Sequence, residues 1–104
     1  METLVLNIYN IVGNASCLTA EDGEKVHVLL EEAIDNNQKV ILSFQNVETL
    51  ADPFLETAIG QIYRDHDKEL VKELIEITDI SLTGKVSLKS VVTAAKLAHE
   101  NAAV

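Results

Sequence analysis

Three histidines, one cysteine and a surplus of acids are the raw material for any chemistry in this chain: His27, His66, His99 and Cys17, among 17 acidic and 8 basic residues. Imidazole, thiolate and carboxylate are the usual ligands of zinc, and a structural zinc site declares itself as ligand pairs a few residues apart. The histidines fall on three separate predicted helices, with no His, Cys or carboxylate spacing that converges locally. No metal site is therefore expected. His27 and His99 read as solvated, and His66 as the edge of a helix face.

Cys17 has Ser16 and Thr19 beside it but no local base. A thiol becomes a nucleophile when a neighbouring base or cation lowers its pKa, so this one reads as inert and partly buried. The four glycines, at 13, 23, 60 and 84, are scattered and build no phosphate-cradling loop. The acidic runs "EDGE", "LLEEAID" and "DHDKEL" read as solvated helix faces. Paired catalytic carboxylates need a convergent cleft, which so small a sheet hardly provides. Neither an enzymatic activity nor a cofactor is expected.

Composition narrows the partners. A chain of 104 residues makes one domain, 1–104, and its aromatic content of 4% means a core of Val, Ile, Leu and Ala. A net charge of −9 repels phosphate backbones and anionic lipid, so nucleic acid and membrane are poor partners and a basic protein surface a better one. A single cysteine suits a reducing cytosol, and no apolar stretch approaches the roughly 20 residues of a membrane span. The N-terminus lacks the pattern of a signal peptide. The expected location is the cytoplasm.

The elements that must position these residues follow from periodicity. "LVLNIYNI", Leu4 to Ile11, alternates as a strand, and Gly13 and Asn14 mark a turn. "ASCL" is either a short returning strand or loop. Thr19 caps a helix, with Asp22 three residues on and an apolar stripe of Val26, Leu29, Leu30, Ala33 and Ile34. "KVILSF", Lys39 to Phe44, is a strand covered on both faces, and "QNVETL" is loop.

In "LADPFLETAIG" Asp52 is expected to cap a helix and Pro53 to occupy its first helical position, where a missing N–H costs nothing. Leu55, Ala58, Ile59, Ile62 and His66 trace its buried face. Gly60, unfavourable in mid-helix by about 1 kcal/mol against Ala, implies the close approach of another backbone. After Asp67 a turn leads to a strand at Leu74 to Thr78. Ser81 or Thr83 opens a last helix, with Val91, Val92, Ala95 and Ala98 facing inward and a fraying tail "HENAAV". The fold class is a small α/β domain: a mainly parallel or mixed sheet of three to four strands with about three helices.

Together "NIYNIVGNASCLTAEDGEKV", "KVILSFQNVETLADPFLETAIGQIY" and "LIEITDIS" resemble the STAS-like domain family of unknown function, relatives of the anti-sigma-factor antagonists. The likeness covers nearly the whole chain. The middle stretch is similar to a family pattern of Ser-Pro-Phe-Phe-Asn before an Ala-Ile-Gly helix. Pro53, Phe54, Ala58, Ile59 and Gly60 match it; Asp52 stands at the serine, Leu55 at the second phenylalanine and Glu56 at the asparagine. Ser43 falls where the wider group often carries Asp.

In the antagonists a serine at this helix start is phosphorylated by a partner kinase, which breaks partner binding. The resemblance places that switch position at about Asp52, which is not a serine. Asp52 reads first as a helix cap, with a permanent negative charge in place of a phosphoserine as the alternative. The resemblance implies a non-catalytic bacterial regulatory module that docks a histidine-kinase-like ATPase or anti-sigma factor. The docking surface runs from the loop into the helix: Asn46, Glu48, Thr49, Asp52, Glu56, Thr57 and Gln61, with Arg64 beyond. Periodicity says only that these residues point outward. The rival reading is a small-molecule or nucleotide sensor with a pocket at the strand ends near Ser43 and Asp52; a third is a homo-oligomer paired through an exposed sheet edge.

Overall fold

A computed structural model of the chain describes residues 3–102. Its centre is a parallel sheet of β1 (Leu4–Asn7), β3 (Val40–Ser43) and β5 (Ile75–Thr78), with β3 in the middle. The register sets Leu4, Val40 and Ile75 side by side, then Val5, Ile41 and Glu76, then Leu6, Leu42 and Ile77. Side chains alternate across a strand, so Val40 and Leu42 enter the core while the Val5, Ile41 and Glu76 row forms the other face. That face is open: Val5 is 61% exposed and Ile41 is only half-buried. The expectation that β3 is covered on both faces is thus corrected.

β1 is shorter than its alternation predicts. Asn7, the last residue of the ladder and opposite Ser43, accepts the Asn10 N–H on its Oδ1 at 3.0 Å and starts helix α1 (Ile8–Val12). Gly13, with φ 79°, closes α1 in the left-handed region that suits glycine. "ASCL" does contain a strand, β2 (Ser16–Cys17), but it pairs in parallel with β4 (Thr49–Leu50) inside the stretch read as loop, and so forms a separate two-stranded ladder.

Helix α2 (Ala20–Asp35) starts as its sequence predicts, with Thr19 Oγ1 accepting the Asp22 N–H at 3.1 Å. Val26, Leu30, Ala33 and Ile34 are buried and Leu29 is half-buried. Helix α3 (Asp52–Leu55), a π-helical turn (Glu56–Gly60) and helix α4 (Gln61–Asp65) follow one another without a break. In the π turn the Gln61 N–H reaches the carbonyl of Glu56, five residues back. The wider turn lets three consecutive residues, Ala58, Ile59 and Gly60, all be buried.

The stretch after Asp67 is a helix and not the expected turn. Asp67 Oδ1 accepts the Glu69 N–H at 2.7 Å and opens α5 (Lys68–Leu74), which buries Val71 and Leu74 and runs straight into β5. The last helix, α6 (Leu82–Ala102), is opened by Ser81, whose Oγ accepts the Gly84 N–H at 3.0 Å. Val91 and Ala95 are buried and Val92 and Ala98 half-buried, as the pattern predicts. "HENA" continues this helix and does not fray; the last two residues of the tail lie outside those described.

The helices cross the core in layers. α2 packs on α3 and the π turn, and α6 packs on α3, the π turn and α4. Phe44, Phe54, Ile8, Leu30, Leu42, Leu55 and Ile62 are the largest side chains wholly inside. No helix among the described residues is long and apolar enough to cross a membrane.

Candidate functional site

The loop after β3 is a fixed structure. Phe44 is buried and its N–H donates to the Thr78 carbonyl at 3.0 Å. Asn46 turns the chain at φ 69°, a conformation asparagine tolerates better than most residues. The Glu48 and Thr49 N–H groups then donate to the Ala15 carbonyl at 2.8 and 3.2 Å, and the Ala51 N–H to the Cys17 carbonyl at 2.9 Å. These bonds bind the loop to β2 and aim the helix that follows.

Asp52 does not cap that helix. The cap position is Ala51, in extended conformation at φ −108° and ψ 153°, and no side chain accepts a first-turn N–H. Asp52 is itself the first helical residue and is exposed, with Pro53 directly after it. The proline is thus the second helical residue and not the first, still in the turn where a missing N–H costs nothing; the acid contributes only its charge near the positive end of the helix. Beneath them Phe54 and Leu55 are completely buried.

Asn46, Glu48, Thr49, Asp52 and Glu56 are exposed, as is Arg64. Thr57 and Gln61 are less exposed than these. Both are half-buried, and Thr57 turns toward α2, where a Cβ built on Gly23 would stand 3.0 Å from the Thr57 Cβ. The loop surface therefore carries three exposed acids, with Thr57 and Gln61 partly accessible beside them.

Ser43 closes the sheet at its C-terminal end. It is 6% exposed, and its hydroxyl donates to Asp79 Oδ2 at 3.0 Å and accepts the Gln45 N–H at 3.3 Å. The Thr78 hydroxyl donates to the same Asp79 oxygen at 3.3 Å, and Asp79 sits at φ 60°. The Ser43 hydroxyl is thus committed to a strand-end network. Shallow depressions lie elsewhere: one runs along α6 past Val86, Ser90 and Leu97, another lies between Tyr63, Lys96 and His99.

A second constellation, which local spacing did not reveal, lies where α2 meets the end of α4. The His27 ring is 14% exposed. Its Nδ1 is 3.6 Å from Glu24 Oε1 and its Nε2 is 3.3 Å from Glu31 Oε1, yet neither nitrogen makes a hydrogen bond of acceptable direction, and both are shut off from solvent. Leaving a buried polar group unpaired costs about 1–3 kcal/mol. Across the interface the His66 Nε2 lies 2.9 and 3.1 Å from the two Glu31 oxygens. Since a carboxylate only accepts, this nitrogen carries the hydrogen and donates. One ligand atom each from His27, Glu31 and Asp65 lie within 4.8 Å of one another.

His27 is therefore neither solvated nor isolated, and Glu31 belongs to this cluster and not to a solvated face. The signal available in sequence was the i, i+4 spacing of His27 and Glu31, which puts both on one helix face; His66, 35 positions from Glu31, could not be joined to them by spacing. His99 is corrected too. Its Nδ1 is 2.8 Å from the Arg64 carbonyl, so it donates there and satisfies one of the free carbonyls at the end of α4. Cys17 is fully buried; burial, and after it the Asp22 carboxylate, push its thiol up to about 11.

A parallel sheet backed by layered helices, with a strand-to-helix loop ending in Asp-Pro-Phe, defines a STAS-like domain. Residues 22–85 match the family described as the STAS-like domain of unknown function (DUF4325), and the chain belongs to that family. No curated protein and no solved structure matches the chain.

Proposed function

We propose that this chain is a non-catalytic regulatory module that binds another protein through the loop after β3 and the first turn of α3. The observation that supports it is the exposed row Glu48, Asp52 and Glu56, held on a loop tied by backbone bonds to β2 and on a helix anchored by Phe54 and Leu55. Such a surface is acidic, rigid and free of competing internal partners, and it suits a partner with a basic face. By analogy with the anti-sigma-factor antagonists the partner is a histidine-kinase-like ATPase or an anti-sigma factor, in a bacterial cytoplasm. Asp52 would then present a constant negative charge at the position where those relatives carry a switchable serine.

The test is a crosslinked pull-down from the native host with wild type, Glu56→Arg and, as a control on α5, Glu73→Arg. Both residues are exposed, so neither change disturbs the core. A regulatory ATPase or sigma-regulating protein captured by wild type and Glu73→Arg but lost with Glu56→Arg supports the reading. Equal capture by all three forms, or recovery of the bait alone, overturns it.

A further inference from the structure

We propose that His27, Glu31 and Asp65 bind one divalent cation of the zinc class, with His66 orienting one of its ligands. The proposal is independent of the docking surface. His27 and Glu31 share one face of α2, and Asp65 comes from the last residue of α4, which packs against it. Their ligand atoms already lie within 4.8 Å of one another. Zinc holds nitrogen and carboxylate oxygen at about 2.0–2.2 Å in tetrahedral geometry, which sets ligand atoms roughly 3.4 Å apart; His27 and Glu31 already meet that spacing at 3.3 Å, and the remaining closure, about an ångström, falls to the exposed Asp65 side chain.

The state of His27 is what asks for an ion. A neutral imidazole has one N–H and one lone pair. With the N–H on Nδ1, the Nε2 lone pair finds no donor: the nearest group, the Glu31 carboxylate at 3.3 Å, only accepts and lies off the axis of the lone pair. A proton on Nε2 does not resolve this, because the direction to Glu31 is not that of a hydrogen bond. A cation between the three groups satisfies the lone pair and both acids together. One feature common around bound metals is present: a donor, His66, fixes the Glu31 carboxylate at 2.9 Å. An imidazole in the donor set favours zinc, cobalt or nickel over magnesium and calcium. Three protein ligands leave a coordination position for water or for a donor from another molecule.

The test is titration of the full chain, pretreated with chelator, with Co(II) followed by its visible absorption, and with Mg(II) as the control ion. The expected result is one Co(II) per chain, displaced by Zn(II), with a rise in melting temperature and no response to Mg(II). His27→Gln and Asp65→Asn should each weaken binding by tenfold or more and His66→Gln by about tenfold, while His99→Gln binds as wild type. Asp65 is exposed, so Asp65→Asn remains informative if His27→Gln folds poorly. Absence of Co(II) binding in wild type, or binding unchanged in both His27→Gln and Asp65→Asn, overturns the proposal.

Discussion

Gly23 of α2 lies against the backbone of Phe54: a Cβ added at Gly23 would stand 2.7 Å from the Phe54 carbonyl oxygen. The two helices thus meet backbone to side-chain-free backbone, and this contact sets how deeply the Asp-Pro-Phe turn sits and how α2 carries His27 toward α4. Gly60 differs, since its added Cβ would meet Val91 Cγ1 at 3.1 Å, a side-chain atom. Gly23→Ala is expected to lower stability by about 1–3 kcal/mol, because a displaced backbone outweighs the roughly 1 kcal/mol that alanine gains in helix propensity. Gly60→Ala should be near neutral. Urea denaturation of both variants checks this, and a larger loss at Gly60 would contradict the distinction between backbone and side-chain approach.

Thr19 and Asp52 stand at two helix starts and should behave differently. Thr19→Ala removes an observed capping bond and should cost about 1 kcal/mol, insensitive to salt. Asp52→Ala removes only a charge near the helix start, an effect of about 0.5 kcal/mol that fades at high salt. Denaturation midpoints at low and high ionic strength separate the two cases.

Cys17 should resist alkylation in the folded protein and react once the chain is unfolded, because the buried thiol carries almost no thiolate near neutral pH. The pKa is raised in the folded state, so the unfolded chain releases its proton first. The stability held by the protonated thiol is complete below pH 9.0 and is lost as the pH rises through about 11. Denaturation series across that interval should show the decline in wild type and a shallower one in Cys17→Ala.

Asp79 does two things at the end of β5: it accepts from Ser43 and Thr78, and it holds φ 60°. Asp79→Ala forfeits both and should cost about 2 kcal/mol, whereas Asp79→Asn keeps an acceptor and tolerates the conformation at much lower cost. Thermal melts of the two variants decide the matter.

Local pattern carried much of this structure. The β-branched run "KVILSF" as a strand, the Thr19 cap with Asp22 after it and the stripe on α2 depend on neighbours within a turn or two, and all three reappear, although the strand is covered on one face and not on both. Where a signal was short the reading slipped. Asn7 ends β1 by a side-chain bond that alternation cannot register, and α5 buries only Val71 and Leu74, too few positions to establish a helical period.

The candidate sites divide along the same line. The sequence by itself determined the Asp-Pro-Phe helix start, the exposed acids Glu48, Asp52 and Glu56, and the family, because these rest on residue identity and short spacing. Only the tertiary structure decided that Ala51 holds the cap position, that Thr57 and Gln61 are half-buried, and that His27 and Glu31 meet Asp65 and His66. The physical reason is the π turn and the glycine contact beside it. One added residue in the turn rotates the positions a regular helix would assign, and close packing on α2 then joins groups far apart in the chain.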